Sequence, residues 1–254
     1  MNLKETFLSL KERALTAVVL LAVVFTVAII DNAILTWLFF GIVYMFAFYE
    51  AMKLFGISNN SFYVYALALW LAALIYPKPE DIIYPVLIVG ISMMVHKKEL
   101  DLKLLSPFVY PTLSMLFLFG MYKSFGMYSL AWLVAIVAST DTGAYLVGKS
   151  FGKTPFSKAS PNKTWEGVAG GVLIAAVVGS FVGLGITSLA TSFVISLLVA
   201  LSSVWGDLFE SYLKREAGVK DSGAIFPGHG GMLDRIDGYM FGVVIMFVLL
   251  RGLQ

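Results

Sequence analysis

The sequence has no cysteine, two histidines and very little charge. Without cysteine there is no disulfide framework, no zinc–thiolate or iron–sulfur centre and no thiol nucleophile. His96 and His229 are too few for a multi-histidine metal site. Charged residues make up 13% of the 254 and apolar residues 59%, against about 25% and about 45–50% in soluble domains. A surface so short of charge cannot face water on all sides, and the mean hydropathy of +0.86 agrees. A formal net charge of +2 is too weak to point to nucleic acid. What these absences leave is an all-α, polytopic integral membrane protein.

A helix crosses ~30 Å of hydrocarbon with about 20 mostly apolar residues. Nine windows qualify, near residues 14–31, 33–52, 61–76, 82–96, 108–124, 128–148, 167–187, 189–213 and 237–253. The third and fourth are short and interrupted by Pro77, Pro79 and Pro85, as in a re-entrant or tilted pair. Connections are too brief for a soluble domain, so the chain divides into residues 1–135, with spans one to five, and 136–254, with spans six to nine. Leu3, Phe7 and Leu10 share a helical face, which predicts an interfacial helix over residues 2–12. The first span is long for a signal peptide and lacks a small-x-small cleavage site before Asp31-Asn32, so it reads as a retained anchor.

Lysine and arginine set the orientation. With the N-terminus in the cytoplasm, 15 of the 18 basic residues fall inside, and only Lys78, Lys123 and Arg251 fall outside. Eight of the 15 sit in two loops, 149–163 and 214–235, so those loops are where chemistry is expected.

Between them runs the eighth span, with Ser203, Asp207, Glu210, Ser211 and Lys214, four of them spaced to share one helical stripe. A mid-membrane carboxylate costs about 2.5–3.5 kcal/mol on insertion scales. Two on one face should look into a cavity, although a Glu210–Lys214 helix-end ion pair accounts equally well for Glu210. The sixth span carries Ser139, Thr140, Asp141 and Thr142, read either as site residues or as an interhelical hydrogen-bond network. The densest polar stretch runs from Lys214-Arg215 through Lys220-Asp221 and Pro227-Gly228-His229-Gly230-Gly231 to Asp234-Arg235 and Asp237. Asp234 and Asp237, joined by Asp207, make a hard-oxygen set of the kind Mg²⁺ prefers alongside phosphate. Lys214, Arg215, Lys220 and Arg235 supply counter-charge for phosphates. In the other loop, Ser160 or Asn162 is expected to cap a helix starting near Lys163, with Glu166 in its first turn and Lys149 and Lys153 nearby.

Three motif matches are refused. Gly143–Ser150 satisfies the P-loop pattern, but its middle continues an apolar span where a flexible loop is required. Gly148–Gly152 fits G-x-S-x-G, whose elbow needs a sheet that this sequence does not predict. Asp234-x-x-Asp237-Gly238 opens like the CDP-alcohol phosphotransferase motif, but the Ala-Arg pair and the two later aspartates are missing. Gly179-x-x-x-Gly183 reads as a helix-packing face.

From Ser211 to Asp237 the sequence resembles the signature of the phosphatidate cytidylyltransferases, also called CDP-diacylglycerol synthases. The resemblance is carried by Lys214-Arg215, Lys220-Asp221, Gly223, Phe226-Pro227, His229-Gly230-Gly231-Met232 and Asp234-Arg235-Ile236-Asp237. Upstream, Asp141-x₂-Ala144-Tyr145-x₂-Gly148-Lys149-x-Phe151-Gly152-Lys153 and Ser160-Pro161-x-Lys163-Thr164-x-Glu166-Gly167 resemble a second segment of that family. Residues 1–135 are similar only in hydropathy and span number.

The resemblance implies cytidylyl transfer from CTP to phosphatidic acid with Mg²⁺, a second cation being an open question. On that reading Asp207, Asp234 and Asp237, with Asp141, hold metal, and Lys214, Arg215 and Arg235 neutralise triphosphate or the leaving pyrophosphate. The Gly228–Gly231 loop, with Gly230 and Gly231, cradles phosphate, and His229 donates a hydrogen bond. Lys149, Lys153 and Lys163, with Ser160 and Lys220, hold the phosphatidate headgroup or the nucleotide. The partners expected are CTP, phosphatidic acid and the lipid bilayer, with a homodimer as a further expectation. The short loops suit a bacterial inner membrane, with the site on the cytoplasmic side. The competing reading is an ion- or lipid-coupled transporter. It is disfavoured because the first half shows no counterpart to Asp141, Asp207 or Asp234.

Overall fold

The computed structural model of the chain describes residues 18–226 and 230–254. The helix expected over residues 2–12, with Lys4, Lys11 and Arg13, lies outside the described residues, as do Gly228 and His229. The described residues are helical, with two isolated bridges and no strand. In chain order the helices are α1 Val18–Ile30, α2 Ala33–Leu54, α3 Ser61–Ile75, α4 Ile83–His96, α5 Ser114–Phe151, α6 Trp165–Val182, α7 Leu189–Glu216 and α8 Leu233–Arg251. Short helical turns at Pro79–Ile82 and Leu102–Leu105 and an irregular turn at Phe108–Leu113 link them.

Five stretches are long and apolar enough to cross a membrane: Ala33–Leu54, Pro79–His96, Leu102–Phe151, Trp165–Gly185 and Leu189–Glu216. Val18–Ile30 and Ser61–Ile75 are apolar but shorter. The fifth and sixth windows of the sequence fall within one helical element. Straight, the 38 residues of α5 would run about 57 Å, nearly twice the hydrocarbon thickness. Gly126 breaks it, with φ +74° and ψ −179°, a conformation only glycine adopts readily. The element is therefore two limbs rather than one rod.

Glycines on α6 let it lie directly on the second limb of α5. A Cβ on Gly171 would collide with the Thr140 carbonyl and stand 2.7 Å from the Ala144 nitrogen, and one on Gly167 would stand 2.8 Å from the Ala144 carbonyl. Gly179 and Gly183 press in the same way on Ser196 and Trp132, the packing face expected of them. Trp132, Tyr44, Phe48, Phe119 and Phe247 are fully buried in the helical core.

Polar contacts sort the helix ends into two groups. At one end the Tyr122 hydroxyl donates to Asp31 at 3.0 Å, Lys123 Nζ donates to the Tyr76 carbonyl at 2.7 Å, and Arg251 lies 3.7 Å from buried Glu80. The α5–α6 loop and the α7–α8 loop lie at the other, beside the last turns of α2 and α7.

Candidate active site

The α5–α6 loop is a compact hairpin. Pro155 bridges to Thr164, Phe156 N donates to the Lys163 carbonyl at 2.8 Å, and Trp165 N donates to the Thr154 carbonyl at 3.0 Å. Thr164 caps α6, accepting from Gly167 N at 3.2 Å. Ser160 and Asn162 do not cap it: the hairpin delays the helix by a turn's fraction, and Ser160 receives Lys163 N on its carbonyl at 3.1 Å. Glu166 reaches back to accept from Lys153 N at 3.1 Å, Thr154 N at 3.2 Å and Thr154 Oγ1 at 2.8 Å. The loop so braced presents the Lys163 ammonium to Asp207 on α7, and the two form an ion pair. Lys149 and Lys153 stand exposed, with Lys149 Nζ 5.7 Å from the Tyr145 ring centre. Gly143–Ser150 remains helical, which disposes of the P-loop and elbow matches.

The α7 stripe turns inward. Ser203 and Glu210 are 2% and 0% exposed, and Ser211 Oγ donates to Asp207 at 3.4 Å. Lys214 Nζ does lie 3.4 Å from Glu210, the helix-end pair that spacing allowed, but its closer partner is Asp234 on α8, at 2.6 Å. Both Glu210 oxygens are buried without a hydrogen-bond partner among the described residues, as is the Tyr110 hydroxyl. Arg215 donates to the Val219 carbonyl at 3.3 Å, and like Lys220 and Arg235 it is exposed.

At the start of α8, Asp234 spends both oxygens. Oδ1 accepts from Lys214, while Oδ2 accepts from Ser222 N at 2.9 Å, Ser222 Oγ at 2.9 Å and Gly231 N at 2.7 Å. Gly230, with φ +80°, turns the chain just before, and Phe226 N closes the turn by donating to the Gly230 carbonyl at 3.0 Å. Asp237 lies one turn deeper and accepts from Gly238 N at 2.7 Å. Asp237 feels the charges of Asp207, Glu210 and Asp141, and Asp141 those of Lys163, Asp207 and Arg235. Among the described residues no group of three or more His, Asp or Glu stands close enough together to hold a metal ion.

Three residues of this site escaped the sequence reading. Glu50, 1% exposed near the end of α2, accepts from Ser222 Oγ at 2.9 Å, Met232 N at 3.0 Å and Leu233 N at 2.8 Å. It corrects the expectation that the first half holds no acid of this kind. A signal was present, since Glu50 is the one acid in its apolar window and burying it needs partners. Tyr110, 5% exposed, stacks edge-on against Phe209 at 5.1 Å and feels the charges of Glu210, Asp237, Asp207 and Asp234. Nothing in the sequence marks Tyr110 or Ser222.

The site thus joins six carboxylates and the ammonium groups of Lys163 and Lys214 at one end of the helices. The cytidylyltransferase family model matches residues 11–253. The phosphatidate cytidylyltransferase of Helicobacter pylori is 42% identical over 99% of this chain and 96% of its own. That of Thermotoga maritima is 34% identical over 76% of this chain and 78% of its own, and that of Bacillus subtilis 45% identical over 50% and 48%.

Proposed function

The chain belongs to the cytidylyltransferase family, and we infer that it transfers the cytidylyl group of CTP to phosphatidic acid. A phosphate oxygen of the lipid bonds to the α-phosphorus of CTP, the bond from that phosphorus to the β-phosphate oxygen breaks, and pyrophosphate leaves with CDP-diacylglycerol as product. The observation that carries this reading is the 42% identity over 99% of the chain to a phosphatidate cytidylyltransferase. The geometry supports it independently of the match. Both reacting groups are anionic, so positioning and charge neutralisation make up most of the catalysis. No general base is needed, because the lipid phosphate is already ionised at neutral pH.

Within that reaction we assign roles to the chain's own groups. Lys214, held between Glu210 and Asp234, and the exposed Arg215 and Arg235 meet the triphosphate and the departing pyrophosphate. Lys163 and Lys153, presented by the braced hairpin, meet the lipid phosphate with Lys149 and Ser160, and Lys220 flanks the nucleotide. Gly230 and Gly231 let backbone amides approach phosphate, and His229, their neighbour in sequence, would donate a hydrogen bond to it. The carboxylates suit Mg²⁺, being hard oxygen donors, and both Glu210 oxygens lack a hydrogen bond among the described residues. Asp141, Asp207 and Asp237, drawn closer together than they stand here, would hold it, and Asp234 would join only by giving up Lys214 or the Ser222 and Gly231 amides. When bound, the cation supplies positive charge to the polyphosphate oxygens.

The membrane placement follows the same logic. We propose nine spans, with the N-terminus and both basic loops cytoplasmic and the C-terminus outside, in a bacterial inner membrane. Lys123 and Arg251, predicted outside, both lie at the helix ends opposite the basic loops. CTP then arrives from the cytoplasm while the acyl chains of phosphatidic acid stay in the bilayer. The test is purified protein in detergent with phosphatidic acid, CTP and Mg²⁺. A lipid-soluble cytidine product is expected, and its absence with folded protein contradicts the assignment.

A further inference from the structure

The amide of Met232, which precedes α8, and the first two amides of α8 are capped from elsewhere in the chain. A helix begins with N–H groups that have no intrahelical acceptor, and the residue preceding α8, Met232, supplies no side-chain cap. Met232 N and Leu233 N instead donate to the two oxygens of Glu50, 182 and 183 residues away on α2, and Asp234 N donates to Ser222 Oγ at 3.3 Å. The Ser222 hydroxyl lies 2.9 Å from both Glu50 Oε2 and Asp234 Oδ2, so its single proton serves two carboxylates. Gly223 and Gly231 press on the same carboxylate so closely that a Cβ on either would collide with it. Residues 222–223 and 231–233 close around Glu50.

We propose that Glu50 is a positioning residue for the nucleotide side of the reaction, an inference that rests on the function proposed above. It fixes three things at once: the axial start of α8, the Ser222–Gly231 loop, and through Ser222 the oxygen of Asp234 that is not paired with Lys214. Asp234 in turn sets Lys214 and holds the Gly231 amide, so a shift at Glu50 displaces groups assigned to triphosphate. Lys163, assigned to the lipid phosphate, belongs to a separate hairpin with no contact to Glu50. The first half of the chain, which the family model includes along with the rest of residues 11–253, therefore reaches the site as a buttress. The anion at the α8 N-terminus also matches the direction of the helix dipole. Loss of its charge weakens both amide contacts together.

The test compares wild type, Glu50→Gln and Ser222→Ala in steady-state cytidylyl transfer, with each substrate varied in turn, and in amide hydrogen exchange. Gln keeps the volume but sets an NH₂ against one of the two α8 amides. For Glu50→Gln the expected result is a KM for CTP raised at least tenfold, a KM for phosphatidic acid within twofold of wild type, and at least tenfold faster exchange at Met232 and Leu233. Ser222→Ala, which leaves Glu50 its two amides, is expected to raise the KM for CTP at least threefold. Kinetic constants within twofold of wild type for folded Glu50→Gln overturn the proposal. So does an equal rise in both KM values, which marks a merely structural residue. If Glu50→Gln does not fold, Ser222→Ala decides, and an unchanged KM for CTP overturns the proposal. A wild type with no transfer activity refutes the function itself, while the exchange readout still reports whether Glu50 holds the start of α8.

Discussion

Replacing Asp234 by asparagine probes the most heavily bonded side chain of the site. The carboxylate accepts one contact from Lys214 at 2.6 Å on one oxygen and three from Ser222 and Gly231, at 2.7–2.9 Å, on the other. An amide has one acceptor and one donor end, so it cannot satisfy both sides. With its oxygen toward Lys214, its NH₂ faces the Ser222 and Gly231 amides, and two hydrogen bonds to a charged acceptor are lost, about 1.5–3 kcal/mol each. With its oxygen toward the loop, its NH₂ faces an ammonium. That breaks a largely buried ion pair from one side, at about 3–5 kcal/mol. Either flip costs at least about 3 kcal/mol, and 1.36 kcal/mol corresponds to tenfold in rate. Helices α7 and α8 remain joined by apolar contacts, so the loss falls on the placement of Lys214 and the loop rather than on folding. Asp234→Asn should therefore elute as folded protein in size-exclusion chromatography yet lose about a hundredfold or more in kcat/KM for CTP. A folded variant that keeps a third of wild-type kcat/KM would refute both the placement of Lys214 and any part for Asp234 in metal binding.

Four further outcomes are expected. Lys163→Met removes the partner of Asp207 and the lysine assigned to the lipid phosphate, and should cut kcat/KM at least tenfold with folding intact; near-normal rates would detach the hairpin from the reaction. Chelation with EDTA should abolish transfer and added Mg²⁺ should restore it, whereas chelator-resistant turnover would exclude a divalent cation from the carboxylate cluster. Gly171→Ala sets a methyl against the α5 backbone and should cost about 1–3 kcal/mol, seen as a lowered melting temperature; an unchanged value would contradict the close α5–α6 crossing. Because the chain has no cysteine, single cysteines report topology without background. Lys78→Cys should react with an impermeant maleimide in intact cells and Lys158→Cys only after permeabilisation, and the reverse pattern would invert the membrane orientation.

Helices were the most legible feature, because burial in lipid demands long apolar runs whose limits show in any window. The break at Gly126 was less so. One glycine with φ +74° turns a continuous apolar stretch into two limbs, and a glycine in a helix-like pattern has no sign for its φ. Local chemistry also read well where partners are near in sequence, as with Glu210 and Lys214 four residues apart. The cap of α6 was misplaced by two to four residues, onto Asn162 or Ser160, because the Pro155–Thr164 bridge delays the helix. Glu50 was missed for the opposite reason. Its partners lie 172 to 183 residues away, and only the packing of α2 against α8 brings them together. Asp234 was noticed, but spacing could not tell a carboxylate open to metal from one whose four acceptor contacts are already made.

CTP labelled separately at the α- and γ-phosphorus separates cytidylyl transfer from any other use of the nucleotide. Purified protein given phosphatidic acid and Mg²⁺ should move α-label into the lipid phase one for one with γ-label appearing in pyrophosphate. γ-Label in the lipid, or no label there at all, would contradict the account.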